Sequence, residues 1–424
     1  MLEKNIVGRP VPRVDGFGKV TGATRYAGDL DIPGALHLKV LRSKVAHGLV
    51  KKIDASRALK IPGVIAVFTH ADIPGTNSYG IIVKDQPVLT AKIRFKGDAV
   101  ALVAAEDEAS ALAALDAIEV EVEELPPLYD VQAAMAAGAP AIHDSGNILT
   151  VTKIKRGNVE AALGQATVVV SRRYTTQRVE HGYIETEAGV AYLDNDTLII
   201  KVATQNPHYD RKDVARVLGL PLNKIRVIQT ATGGGFGGKL DISVQCFLGL
   251  AALKLGRPVK MVYDREESFV ATAKRHPFIV DCTSAAAGDG KLLAVKARII
   301  GDTGAYASYG PATLTRAAVH ATGPYEVANV DLEALCVYTN NPFSGAMRGF
   351  GVPQIAFIHE SQMDLLAKEL QISSLEIRRR NVLRAGSVTA TGQQLVNSVG
   401  IGKTLEAAWA RALEVMPGLG GDGR

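Results

Sequence analysis

At 424 residues the chain is too long for one ordinary core, so two or three domains are expected. Its 47% hydrophobic and 21% charged residues are ordinary for a globular protein, and a net charge of +5 lacks the clustered Lys/Arg of a nucleic-acid binder. Cys246, Cys282 and Cys336 stand far apart with no CxxC pair, which argues against a disulfide framework or an iron–sulfur cluster and fits a reducing compartment.

The string Met1–Ile6 carries no apolar stretch of a secretory signal. No apolar run reaches the roughly 18–20 residues of a membrane span. Cytoplasm is therefore the expected location, with neither nucleic acid nor membrane as partner.

In chain order, residues 16–23 are expected to form an irregular lead-in. Strands are predicted over 37–41 and 49–53, then a short helix from about residue 54, then a strand over 64–68. Residues 98–104 read as a buried strand, and 106–116 as an Ala/Leu-rich helix opened by acidic residues. Residues 117–122 alternate apolar and acidic side chains, as a half-exposed strand does. This βαβ-containing region ends near Glu124, where Pro126-Pro127 marks a linker. From about residue 150, strands are predicted over 166–174, 189–193, 197–202 and 224–230, with helices over 210–218, 241–255 and 354–370. The fold class is α/β (α+β), with no internal repeat. The Gly-rich tail 417–424 is expected to fray.

The most informative stretch is Thr232-Gly-Gly-Gly-Phe-Gly-Gly-Lys239, between a predicted strand and an apolar helix. Five glycines in six residues let backbone amides approach an anion with no Cβ in the way, and a helix N-terminus would add its positive dipole end. A tight turn alone needs one or two glycines. Gly233 to Lys239 also matches a phosphate-binding P-loop up to its last letter. That letter must be Ser or Thr to ligate magnesium, and here it is Leu240. The same glycines spell Gly233-x-Gly235-x-x-Gly238, a dinucleotide fingerprint, with a strand over 259–263 ending at Asp264. Any run this rich in glycine meets that pattern by accident, and Phe236 would block a pyrophosphate. A nucleotide-dependent dehydrogenase thus remains a minor alternative.

Gly233-Gly-Gly-Phe-Gly-Gly-Lys239 resembles the first pterin-contacting loop of the xanthine dehydrogenase and aldehyde oxidase family of molybdenum hydroxylases. Three further strings agree in order: Thr204-Gln-Asn206, Arg275-His-Pro277, and Arg348-Gly-Phe-Gly351 with Pro353-Gln354. The segment Val20-Thr-Gly-Ala-Thr-Arg-Tyr-Ala27 and the α/β region after it are similar to the family's hammerhead domain. The resemblance implies a hammerhead domain over 1–130 and the first molybdopterin-binding domain over 131–424. Thr204–Arg211 and Thr303–Pro311 look particularly like the branch that hydroxylates nicotinate-like N-heteroaromatics and divides its molybdenum site between two polypeptides.

By that resemblance, Gln205 hydrogen-bonds an oxo group on molybdenum. An amide donates there without a charge of its own. Gly234, Gly235, Phe236 and Gly237 lie against the metal and its dithiolene, and Arg348, Gly349 and Phe350 contact the pterin. Phe350 also forms a wall against a flat substrate. Arg316 occupies a substrate-orienting position and could hold a carboxylate bidentately, although a structural salt bridge is an equal reading. Leu240 replaces the glutamate of the xanthine pattern, which disfavours purines. His181 and His276 read as hydrogen-bonded structural histidines. No residue here is expected to ligate the metal directly.

The implied reaction is hydroxylation of an electron-poor carbon with oxygen from water. The implied cofactor is molybdopterin, in its cytosine dinucleotide form, carrying a terminal sulfido or selenido ligand. The family's catalytic base belongs to a second molybdopterin domain, and no string after residue 390 resembles its Gly-Val-Gly-Glu element. A partner subunit is therefore expected to supply it, unless the sequence is truncated. 2Fe-2S and FAD subunits are expected to carry electrons away. A cofactor-free scaffold, or a xanthine- or aldehyde-oxidising member of the family, remains as an alternative.

Overall fold

The computed structural model describes residues 8–416 and residue 418. The string Met1–Ile6 and the tail from Pro417, Gly418 excepted, lie outside the described residues. Two large sheets and one small one carry the chain.

The first sheet has seven strands, in the order Ile225–Gln229, Thr197–Val202, Ala188–Asp194, Val259–Val262, Leu36–Arg42, Ala99–Ala105 and Val64–Phe68. It joins the N-terminal region to the later one, because Leu36 and His37 pair in parallel with Val259 and Lys260. Ala99–Ala105 is almost continuously apolar because both its faces are covered. On one side packs the helix Gln245–Leu255, apolar all round and buried from Gln245 to Ala252. A smaller sheet of Lys92–Ile93, Gly48–Asp54 and Glu119–Glu124 lies beside it.

The second large sheet has five strands, in the order Ile148–Arg156, Asn329–Tyr338, Leu292–Gly304, Phe278–Ala286 and Val168–Thr175. The helices Gly310–Val319 and Val352–Glu369 cover its buried face through Leu314, Ala317, Ile355 and Ile358. Among the described residues no helix is long and apolar enough to cross a membrane.

Several expectations shift. Residues 16–23 contain a short helix, Gly16–Val20, held by local bonds such as the Thr21 hydroxyl to the Phe17 carbonyl at 2.8 Å. The short helix expected after Asp54 is only a 3₁₀ turn, Ala58–Lys60, because the chain must reverse at once into Val64–Phe68. The helix expected over 106–116 runs Glu108–Ala117, since the Asp107 side chain caps it by accepting from the Ser110 amide. The strand predicted over 117–122 accordingly starts later, at Glu119. The helix predicted over 241–255 starts at Gln245, with a 3₁₀ turn, Gly238–Leu240, ahead of it. Its dipole end is therefore not at the glycine loop. The βαβ run does not make parallel neighbours either: Ala99–Ala105 and Glu119–Glu124 enter different sheets.

Candidate functional site

The candidate site is built from loops that leave the strand ends of the first sheet and from the turn that opens a helix covering the second. Gln205 follows Thr197–Val202, and the glycine loop follows the adjacent strand Ile225–Gln229. The turn Gly349-Phe350-Gly351 opens the helix Val352–Glu369, which covers the second sheet. The Arg348 amide joins the two loops by donating to the Phe236 carbonyl at 2.8 Å.

The glycines of the loop face the protein's own atoms. A Cβ on Gly233 would meet the Glu185 side chain at 2.6 Å, one on Gly235 the Gln205 Oε1 at 2.6 Å, and one on Gly237 the Ala346 carbonyl at 2.6 Å. Gly237 also sits at φ +104°. The loop is thus laid flat on the segment 181–187 and on Gln205, with no room for side chains between.

Beneath it lies an ionic anchor. Lys239 Nζ is 2.7 Å from Glu185 Oε2, and its side chain is 1% exposed. The same carboxylate accepts from the Gly233 amide at 2.7 Å, and its other oxygen from the Ala27 amide at 3.4 Å. Burial lowers the Lys239 pKa, and the Glu185 carboxylate opposes that shift. The ammonium also lies 4.9 Å from the Tyr183 ring centroid, and the Tyr183 hydroxyl donates to Glu187. Sequence reasoning missed Glu185, although a Lys at a loop end destined for burial demands a carboxylate somewhere.

Gln205 closes the loop from the other side. Its backbone amide donates to the Lys239 carbonyl at 2.9 Å, and its side-chain Oε1 accepts from the Gly237 amide at 2.9 Å. Those contacts leave its Nε2 to point elsewhere. Next to it, Asn206 Nδ2 donates to the Tyr309 hydroxyl at 3.2 Å. The Tyr309 ring meets Phe350 edge-on at 5.7 Å, and the Arg316 guanidinium lies 5.2 Å from the Phe350 centroid. Arg316 makes no ion pair among the described residues. Tyr309 itself is set by Ser308, held at φ +40° by bonds of 2.8 and 2.9 Å to the buried Asp241 carboxylate. Burial pushes the Asp241 carboxyl up to about 6.

The four sequence motifs come together. Arg275 Nη2 donates to the Arg348 carbonyl at 2.8 Å and its Nη1 to Gln354 Oε1 at 3.3 Å, while Gln354 Nε2 donates to the His276 carbonyl at 3.1 Å. His181 and His276 are buried and bonded within the protein, His181 Nε2 to the Ala346 carbonyl at 2.8 Å and His276 Nε2 to the Thr303 hydroxyl at 3.3 Å.

Several donors remain unpaired on this face. The amides of Gly234, Gly235 and Phe236, the Gln205 Nε2 and the guanidinia of Arg348 and Arg316 have no acceptor among the described residues. A face with this many unpaired donors fits a large oxygen-rich group such as a pterin cofactor with its phosphates.

Residues 142–382 match the family model of the molybdopterin cofactor-binding domain, and residues 21–126 that of the aldehyde oxidase and xanthine dehydrogenase a/b hammerhead domain. The chain is 49% identical over 413 residues to the nicotinate dehydrogenase large molybdopterin subunit of Eubacterium barkeri, covering 97% of each. Among solved structures, aldehyde oxidoreductase from Desulfovibrio gigas superposes with a TM-score of 0.92 at 31% identity, over 96% of this chain and 47% of that one. Quinoline 2-oxidoreductase from Pseudomonas putida 86 gives 0.88 at 31% identity, over 97% and 56%. The chain thus spans about half the length of these solved relatives. A hammerhead domain followed by a cofactor-binding domain, with the glycine loop, Gln205 and the Arg348 turn interlocked, places the chain in the xanthine dehydrogenase and aldehyde oxidase family of molybdopterin-binding proteins.

Proposed function

We propose that this chain is the subunit of a molybdenum hydroxylase that carries one wall of the cofactor site and hydroxylates a nicotinate-like N-heteroaromatic with oxygen from water. The observation that carries the reading is the donor-rich face built by the glycine loop, Gln205 and Arg348, together with 49% identity to a nicotinate dehydrogenase subunit. The domains are assigned as hammerhead over 1–130 and molybdopterin-binding over 131–424.

In this reading Gly234, Gly235, Phe236 and Gly237 would line the metal end, and Gln205 Nε2 would donate to an oxygen of the bound group. Arg348, Gly349 and Phe350 hold the pterin. The cofactor, taken as the cytosine dinucleotide form with a terminal sulfido or selenido ligand, supplies the two-electron chemistry and the oxygen donor. This chain supplies fixed dipoles around it and a flat aromatic wall, Phe350, against the substrate ring. Arg316, free of any carboxylate partner among the described residues, is suited to a substrate carboxylate.

A second molybdopterin-domain subunit contributes the catalytic base, and 2Fe-2S and FAD subunits take the electrons. The three buried free cysteines accord with the reducing cytoplasm. The test is isolation of the native assembly, molybdenum and pterin analysis, and a nicotinate-oxidation assay with an artificial electron acceptor. A molybdenum-free assembly overturns the reading.

A further inference from the structure

The N-terminal arm before Ala27 buries almost nothing. Val14 is 104% exposed, Phe17 79% and Val20 84%, and the helix Gly16–Val20 has no buried residue. A five-residue helix does not persist in water on its own local bonds. Yet the arm is tightly organised: Asp15 pairs with Arg13 and with Lys19, the latter at 2.7 Å, and the Thr24 amide donates to the Gly18 carbonyl at 3.0 Å. An ordered segment that leaves its apolar side chains largely exposed is shaped for another surface.

Its root shows which one. Tyr26 bridges Ala231, at the start of the glycine loop, and the Ala27 amide donates to Glu185, the carboxylate that anchors Lys239. Ile184, next to Glu185, is 92% exposed, and the Arg265 that binds its carbonyl at 2.8 Å stacks on the exposed Phe269. Exposed apolar side chains therefore stand both on the arm and beside the carboxylate that anchors the glycine loop. The solved relatives carry, in the same chain, a further half that this chain does not cover. The arm is also basic: Arg9, Arg13, Lys19 and Arg25 oppose the single carboxylate of Asp15.

We propose that residues 8–25 form a clamp for the polypeptide that completes the cofactor site, Phe17 and Val20 filling an apolar groove on that companion and Arg9 and Arg25 meeting carboxylates at its rim. This rests on the proposed function above, since it presumes a companion chain.

A photo-crosslinking phenylalanine analogue replaces Phe17 in the assembled native enzyme, and the crosslinked peptide is sequenced. The expected product joins residue 17 to a chain matching the half of the solved relatives that is missing here. In parallel, Phe17→Asp with Val20→Asp weakens co-purification of that chain about tenfold or more. The melting temperature of the isolated chain stays put, because both side chains are largely exposed. A crosslink to a second copy of this chain, to an iron–sulfur or flavin subunit or to nothing overturns the proposal, as does wild-type assembly by the double variant. The molybdenum content of the wild-type assembly reads the functional proposal separately, whichever chain residue 17 reaches.

Discussion

Arg348 and Phe236 are joined twice: the Arg348 amide donates to the Phe236 carbonyl at 2.8 Å, and the Arg348 guanidinium lies 5.8 Å from the Phe236 ring centroid. The bond ties two turns of the same design. Phe236 and Phe350 each stand between glycines, and each is held in the left-handed region, at φ +52° and +54°. A non-glycine residue there costs about 1–2 kcal/mol, a strain that functional sites retain and ordinary turns shed.

Phe236→Gly tests whether that strain serves the fold or the guest. The ring is 46% exposed, so its removal opens a space to solvent instead of an enclosed cavity. Relief of the strain offsets the extra chain entropy of glycine, about 0.5–1 kcal/mol. The variant chain is expected to melt no lower than wild type while the assembled enzyme loses molybdenum. A drop of several degrees in the melting temperature would show the ring to be structural.

Gln205→Glu separates two jobs of one side chain. A carboxylate still accepts from the Gly237 amide, so the loop keeps its clasp. What disappears is the outward Nε2 donor, replaced by negative charge. Molybdenum content should stay near wild type while kcat falls about 100-fold, the scale for losing one preorganised donor. Equal losses of metal and kcat would mean that Gln205 only shapes the loop.

Much of the fold is legible in the sequence. The strand over 64–68 emerges with its predicted bounds, Val64–Phe68, because a short β-branched run between turn signals has no competing reading. The long strands Phe278–Ala286, Leu292–Gly304 and Asn329–Tyr338 escape a sequence reading. Alternation there is masked by small residues such as Ala285, Ala294 and Ala334. The glycine loop and the Arg348 turn stand out in the sequence because glycine and arginine strings are unusual in themselves. Their supports, Glu185, Asp241 and Ser308, are not, because a buried carboxylate carries no local signature and is defined only by what folds against it.

Lys239 and Glu185 are one such support. Lys239→Met leaves the Glu185 carboxylate with only two amides in a site where its side chain is 12% exposed. Breaking a buried pair from one side costs about 3–5 kcal/mol. Adding Glu185→Gln should recover part of that loss, because a neutral amide still accepts from the Gly233 amide. Denaturant unfolding of the two variants gives the comparison, and the absence of any recovery would mean that packing, not charge, holds the loop.

Asp210, on the helix that begins just after Gln205, is fully buried, and burial pushes its carboxyl up to about 7 against the bond from Gln245. Gln245 Nε2 donates to one oxygen at 3.1 Å, and the other has no partner. Between about pH 4 and 7 the folded chain keeps a proton that the unfolded chain releases. The stability this proton confers is complete below that window and is lost as pH rises through it. Asp210→Asn removes the loss, so the variant should gain on wild type by up to roughly 1.4 kcal/mol per pH unit across the window and by nothing further below it. Urea unfolding at three pH values checks the slope. A flat difference would show that Asp210 titrates as an ordinary carboxyl.

In the proposed function, Arg316 selects the substrate. Its guanidinium stacks on Phe350, the expected aromatic wall, and has no carboxylate partner among the described residues. A planar fork fixed against a ring and left without an anion is arranged for an anion that arrives with the substrate. Charge and ring would then be read together, the carboxylate by Arg316 and the heterocycle by Phe350. Arg316→Met keeps the stacking bulk and removes the charge, so KM for nicotinate should rise about 10–100-fold with little change in kcat for the bound substrate. For an uncharged N-heterocycle such as quinoline the variant should equal wild type. Arg316→Lys, a point charge without the fork, should recover only part of the affinity. If both substrates weaken alike, Arg316 is holding Phe350 in place and the carboxylate is bound elsewhere.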